Sequence, residues 1–406
     1  MQMSNGWTYR QYLAFRAALG AYVAIHFAAL LPWAAELFAA GGVVPAAASP
    51  LLGVFPNILA LNDGPAAAAA LTALGAVCGV AIAFGAADRV AAVAAWYVWA
   101  CLFGRNPLIS NPSLPYVGWL LLAHAAISPS GVEDSDARRA WRVPEPVYRA
   151  AWVVLAVGYT YSGLCKLGSP SWFDGGALRA VLENPLARPW VPVEWLPWIP
   201  AAVLKAATWG ALALEIGFVG LACSRSLRPW AWAAMTAMHV ALLATLDFAD
   251  LTWGMLLIHA FTFDPAWLKG RGEGEDVVFY DGQCGLCQTW IQLLLEEDRR
   301  AASFRFAPLG GRTYHELLDP GTRASLPDSI VVRAADGRVL VKSAAIGHLL
   351  GRLGGLWLVA QAGLSLVPAG LADRGYDLVA KVRRVAPVGI KVCRRMPARY
   401  RARLLG

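Results

Sequence analysis

The sequence predicts a polytopic α-helical membrane domain of about eight spans, followed by a small α/β domain. Three observations carry that expectation. Of 406 residues, 58% are hydrophobic and 15% charged, and mean hydropathy is +0.48, whereas soluble chains carry roughly a quarter charged residues. Long apolar runs recur through the first two thirds of the chain and not through the last third. The charge is divided in the same way: residues 1–268 balance 14 basic against 14 acidic side chains, and residues 269–406 hold 21 against 13, which is the whole net charge of +8. This composition excludes disorder for most of the chain.

A hydrocarbon core about 30 Å thick needs roughly 20 mostly apolar helical residues. Candidate spans lie near 12–31, 65–86, 89–104, 114–128, 147–166, 200–223, 229–246 and 251–268, of which the third, fourth and eighth are short. The first is longer than the apolar region of a signal peptide and contains Arg16 and His26, so it is read as a retained span. With the N-terminus inside, ten Lys and Arg flank the cytoplasmic ends and at most five the outer ends, which places both termini in the cytoplasm of a multi-pass inner-membrane protein. The loops 32–64 and 167–199 are too long for simple connections. The second is loaded with Trp and Pro and reads either as an interfacial belt or as a substrate mouth.

Ionisable residues inside a bilayer are costly, so each is a candidate site. Counting about 1.5 Å per residue along each span places Glu215, His239 and His259 at one level near the midplane. Lys166 falls at the outer end of its helix with His26 somewhat below it, too far from Glu215 for an ion pair. Tyr159, Ser162 and Lys166 share one helix face by their spacing. A polar packing seam with a snorkelling Lys is the alternative reading of this set.

The stretch "YTYSGLCKLGSPSWFDGG" (159–176), with Gly163, Lys166, Leu167, Trp172 and Gly175, resembles the horizontally transferred transmembrane (HTTM) domain of the vitamin K-dependent gamma-carboxylases. The resemblance covers most of residues 1–268. It implies that Lys166 stands where those enzymes place the base proposed to deprotonate vitamin K hydroquinone. Where the carboxylases carry an Asn-His pair, this chain reads Asn111-Pro112, so carboxylase or epoxidase chemistry is the least favoured reading. A quinone or another lipid-soluble molecule is the expected partner of the membrane domain.

The Gly-rich charged run 269–276 reads as a linker. After it, Val277–Tyr280 reads as a buried strand, Asp281-Gly282 as a turn, and the residues from Gln288 onward as a helix. Cys284 and Cys287 therefore fall on the first turn of a helix, whose free N–H groups and dipole favour a thiolate at the first of them. Cys284 is the expected attacking thiol and Cys287 the resolving one. Half of a zinc site is the rival, but a structural zinc needs four ligands, and His315 and His348 are isolated. Asp281 serves either as proton acceptor or as a turn cap.

The later segments "FRFAPL", "SIVVRAADGRVLV" and "SAAIGHLLGRL" give a strand, a hairpin turning at Asp336-Gly337 and a closing helix. This is the thioredoxin-like order, and Pro327 becomes the candidate cis-proline facing the thiols. The opening "FYDGQCGLC", with Asp281, Cys284 and Cys287, closely resembles the DCC family of thiol-disulfide oxidoreductases, over about residues 277–384 and including Tyr376. That resemblance implies dithiol chemistry and names no substrate.

The expected organisation is a membrane domain (1–268), a linker (269–276), a thioredoxin-like domain (277–380) and a basic tail (381–406). The expected function is membrane-bound thiol-disulfide exchange, with a scaffold or transporter carrying a redox sensor as the alternative. The tail holds nine basic residues and no acidic one, so its expected partner is the anionic inner leaflet and not nucleic acid.

Overall fold

The computed structural model describes the chain except residues 1–4, 50, 191, 192, 249, 283, 299–302, 386–397 and 406. The chain divides into two compact units, one built from residues 12–131 and 143–263, the other from 6–11, 132–142 and 264 onward.

Helices in the first unit stand at each predicted place: α1 (Tyr9–Leu30), α2 (Pro65–Phe84), α3 (Asp88–Arg105), α4 (Leu114–Ile127), α5 (Glu145–Lys166), α6 (Ala201–Cys223), α7 (Arg228–Thr245) and α8 (Leu251–Thr262). Three of them are long and apolar enough to cross a membrane: α1 with its continuation to Phe38, α2 and α6. Helices α4 and α8 are apolar but have only 14 and 12 residues, short of the roughly 20 a bilayer needs. Residues such as Asp88, Arg149 and His239 lower the hydropathy of α3, α5 and α7. Eight full spans are therefore not what these helices show.

Proline and glycine set the ends of α2. Pro65 opens the helix, where its missing N–H costs nothing, and Gly85 closes it with a φ of +77°. Small residues fix how α1 meets α2. A Cβ on Gly20 would lie 2.3 Å from the Ala83 nitrogen, and one on Gly79 would lie 2.3 Å from the Ala24 nitrogen. Only glycine lets these backbones approach so closely, the usual means of helix association where apolar burial gives no driving force. Large apolar side chains remain on the outside of this unit, among them Val77, Phe84, Val157 and Trp230.

The second unit is built on a four-stranded sheet, with β1 (Asp276–Tyr280), β2 (Phe304–Pro308), β3 (Val331–Arg333) and β4 (Val339–Val341) in the order β2-β1-β3-β4. Strand β1 pairs parallel with β2 and antiparallel with β3. Alternation along β1 sends Val278 to one face and Val277 and Phe279 to the other. The Val278 face packs under α9 (Gly285–Glu297) and α10 (Lys342–Leu353) through Ile291, Leu294, Phe304, Phe306 and Leu349. The other face holds Phe279, Ala307, Leu318 and Val331. The β3–β4 hairpin turns at Asp336-Gly337, with φ +88° at Gly337. Two further helices, α11 (Leu356–Ser365) and α12 (Ala369–Val385), follow. The α11–α12 pair is bent by 114°.

Acidic side chains at a helix C-terminus oppose the helix dipole, and α9 ends in Glu296, Glu297 and Asp298, all buried. Each is matched within this unit. Arg10 bonds Glu296 at 2.8 Å, and Thr8, Gln11 and the Trp357 indole donate to Glu297 at 2.8, 3.2 and 2.7 Å. Arg403 reaches Asp298 at 2.6 Å.

Two expectations change here. All described peptide bonds are trans, Pro327 included. The segment read as a linker also carries hydrogen bonds, since Arg271 N–H donates to the Gly351 carbonyl and the Arg352 guanidinium to the carbonyls of residues 271, 273 and 274. The end of the basic tail belongs to the core: Tyr400 is buried in the Val278 cluster and Leu405 N–H donates to Phe306 O. Burying Arg403 beside Asp298 uses one basic residue for folding that the charge count assigned to lipid. Lys391, Arg394 and Arg395 lie outside the described residues.

Candidate functional site

Cys284 is the N-cap of α9. Its backbone leaves the helix in an extended conformation, and its Sγ accepts the Cys287 N–H at 3.2 Å. The Asp281 carbonyl accepts the Cys284 N–H at 3.2 Å, and the Gln288 side chain donates to the Gly282 carbonyl at 2.8 Å. The turn after β1 is thereby tied to the first turn of α9. Both thiols are partly exposed. A sulfur at this position receives a main-chain donor at the positive end of a helix, where negative charge is stabilised, and the second thiol lies one turn away. Tyr280, at the end of β1, is half-buried, and burial pushes its hydroxyl above its ordinary range, which keeps it protonated.

Asp281 stands on the turn and serves it through its carbonyl. Pro327 precedes β3 as predicted. Tyr376 of α12 accepts the Ile330 N–H at 2.8 Å, which ties α12 to the entrance of β3. No group of three or more His, Cys, Asp or Glu able to hold a metal ion occurs among the described residues.

Polar residues of the first unit gather in further clusters. In one, Lys166 Nζ lies 2.5 and 2.6 Å from the two oxygens of Glu215 and 4.6 Å from the centre of the Trp172 ring. This overturns the expectation that Lys166 and Glu215 are too far apart. Counting depth from helix ends assumed that α5 and α6 stop at one plane. Instead roughly three turns of α6 run past Lys166, beside short helices at Pro170–Phe173 and Ala177–Leu182. Trp209 donates there to the Phe173 carbonyl, and Leu178 N–H to Thr208. Gly163 permits the approach, since a Cβ there would lie 2.8 Å from the Ile216 nitrogen and 3.0 Å from Glu215 Cβ.

Tyr159, two turns before Lys166, places its hydroxyl 2.6 Å from Nε2 of both His239 and His259. A phenol has one proton to donate, so one imidazole accepts from it and the other donates to it. His239 and His259 thus do meet, through a residue of a third helix, while Glu215 turns to Lys166.

His26 belongs elsewhere. Its Nδ1 lies 2.5 Å from Asp250, which also accepts from Tyr22 at 3.0 Å and Asn111 at 2.9 Å, and the Trp99 ring stacks on it at 4.4 Å. Sequence reasoning missed Asp250, although a carboxylate between two apolar helices is itself a signal. It also missed Asp88, which is buried and accepts from Ser128 and Ser130, and His124, which bonds Tyr12 at 2.8 Å.

Residues 278–387 match the family model described as DCC1-like thiol-disulfide oxidoreductase. No curated protein and no solved structure matches the chain. The matched region begins inside β1 and contains both cysteines, the sheet and α12.

Proposed function

We propose that the chain is a membrane-bound thiol-disulfide oxidoreductase in which Cys284 attacks a disulfide and Cys287 resolves the mixed disulfide. The observation that carries this reading is the Cys284 Sγ at the head of α9, receiving the Cys287 N–H inside a region similar to the DCC1-like oxidoreductases. In the exchange one substrate S–S bond breaks, a Cys284–substrate S–S bond forms and is replaced by Cys284–Cys287, and the substrate leaves as a dithiol. The strand order β2-β1-β3-β4, with β3 antiparallel, supports a thioredoxin-like fold for this unit. Three long apolar helices and the exposed apolar surface of the first unit support a place in the membrane. On this reading the second unit faces the cytoplasm, and alkaline-phosphatase activity from a fusion after Arg271 would overturn that placement.

The test is mechanistic trapping. Cys287→Ser should accumulate a mixed disulfide between Cys284 and an added small disulfide, visible as a mass increase, and Cys284→Ser should not. Equal adduct on both variants would remove the assignment of roles.

A second reading is favoured by one observation. Tyr159, Glu215, His239 and His259 are buried polar residues of the first unit and Lys166, partly exposed, pairs with Glu215, the arrangement expected if that unit binds or moves a ligand while the dithiol senses redox state. The HTTM-like residues Gly163, Lys166 and Trp172 converge on this cluster. Lys166 there is held by both Glu215 oxygens, which favours binding or packing over a role as free base.

A further inference from the structure

Helices α11 and α12 form a hairpin whose two arms are held to the second unit and whose tip is exposed. On the α11 arm, the Gly355 N–H donates to the Leu268 carbonyl, the Leu356 N–H to the Gln11 side chain and the Trp357 indole to Glu297. On the α12 arm, Asp373 accepts from Ser343, Asp377 pairs with Lys342 at 2.9 Å, and Tyr376 accepts the Ile330 N–H. Between these bonds, residues 362–371 are exposed, apart from the half-buried Leu364. No charged residue occurs between Arg352 and Asp373, so the tip presents Leu366, Val367 and Leu371, with Leu366 86% and Leu371 59% exposed. A turn that faces water is built mainly from Gly, Pro, Asn, Asp and Ser. Large apolar side chains gathered at one mark an interaction surface.

The outer face of α12 indicates what it meets. Three- and four-residue spacing puts Leu371, Arg374, Leu378 and Lys381 on one stripe, and all four are exposed. Asp373 and Asp377 are engaged by Ser343 and Lys342 of α10, which leaves the stripe apolar and positive. Leucines interleaved with Lys and Arg on one helix face suit the boundary between acyl chains and anionic headgroups. A second copy of the chain would bring the same cations to this face. A bilayer is at hand, because α1, α2 and α6 are long and apolar enough to cross one.

We propose that the α11–α12 hairpin docks on an anionic membrane surface, with Leu366, Val367 and Leu371 at the acyl boundary and Arg374 and Lys381 at the lipid phosphates. Insertion is shallow: the pair is bent by 114°, and drawing α12 across the bilayer would break the bonds of Asp373, Tyr376 and Asp377. Leu364, Ala372 and Val379 of the same helices line a groove together with Cys287, so docking brings the rim of the dithiol site to the lipid. The proposal rests on the chain's place in the membrane and is independent of the dithiol reading.

Lipid photo-labelling of the full-length chain tests it. The protein is placed in nanodiscs of phosphatidylcholine with phosphatidylglycerol, or of phosphatidylcholine alone, containing a trace of lipid with a diazirine either beside the glycerol or at the end of an acyl chain. After illumination, peptide mass spectrometry maps the adducts. With phosphatidylglycerol present, the glycerol-side probe should label residues 362–379, and the chain-end probe should label α2 and α6 far more than the hairpin. Leu366→Asp with Leu371→Asp should cut the hairpin adducts at least about tenfold and leave those on α2 and α6. Arg374→Glu with Lys381→Glu should lower them several-fold, to the level found on phosphatidylcholine alone. Both pairs lie at exposed positions, and an unchanged unfolding midpoint in detergent verifies the fold. An unlabelled hairpin beside labelled α2 and α6, or adducts that neither double variant reduces, would overturn the proposal. Chain-end labelling of the hairpin as strong as that of α2 would overturn it in favour of a span, and a covalent dimer joined through residues 362–371 in favour of a second copy. Absence of adducts on α2 and α6 as well would overturn the membrane reading itself, a distinct result.

Discussion

Cys284 and Cys287 stand on one turn of one helix, bonded to each other's neighbourhood through a single main-chain N–H. The Lys166–Glu215 cluster is assembled from α5, α6, α7 and α8, with Tyr159 reaching a histidine one hundred residues away. The first site is a local construction: a strand, a turn and a helix start create it, and the rest of the unit decides what approaches it. The second exists only when four helices have packed in register. A local site can lose its reactive atoms and leave the fold intact, whereas a site made of packing cannot lose a member without disturbing the helices that hold it.

That difference is open to measurement. Lys166→Ala should have the largest effect, because Glu215 is buried and would lose the cation that both its oxygens touch. A loss of about 3 kcal/mol is expected, the low end for a broken buried pair because Lys166 keeps about a quarter of its side chain exposed. Thermal unfolding in detergent checks it, and the double substitution Lys166→Met with Glu215→Met should recover most of the loss by removing both charges. Gly163→Leu should cost about 2 kcal/mol by forcing α5 away from Ile216 and Glu215; an unchanged unfolding midpoint would mean that the close approach is unimportant. Tyr159→Phe should cost about 1–2 kcal/mol, since the ring remains but the imidazoles lose their shared hydroxyl. Cys284→Ser should stay within about 0.5 kcal/mol of the parent, because serine is a good N-cap and the position is partly exposed. If Cys284→Ser destabilised as much as Lys166→Ala, the contrast between the two sites would collapse.

The same contrast explains what was legible in the sequence. The strand into β1, the turn at Asp281 and the start of α9 were readable because turn residues, apolar alternation and cysteine spacing are local signals. The eight helix positions were readable for the same reason. Pairing between helices was not. The depth of Lys166 relative to Glu215 depends on where α5 stops beside α6, and that is decided by the short helices at Pro170–Phe173 and Ala177–Leu182 and by contacts such as Trp209 with Phe173. His26 was legible as a buried ionisable residue, but its partner Asp250 lies 224 residues away. Arg403 and Tyr400 were read as part of a basic tail on the inner leaflet because charge composition does not reveal that Asp298 awaits a cation at the end of α9.

The central claim is that the Cys284–Cys287 pair cycles between dithiol and disulfide. Equilibrating the full-length protein across a series of dithiothreitol buffers, from fully reduced to fully oxidised, and counting alkylatable thiols by mass tests it most directly. The account predicts a single reversible two-electron transition that disappears in both Cys284→Ser and Cys287→Ser. Both thiols remaining alkylatable across the whole series, or a transition that survives in Cys284→Ser, would contradict it.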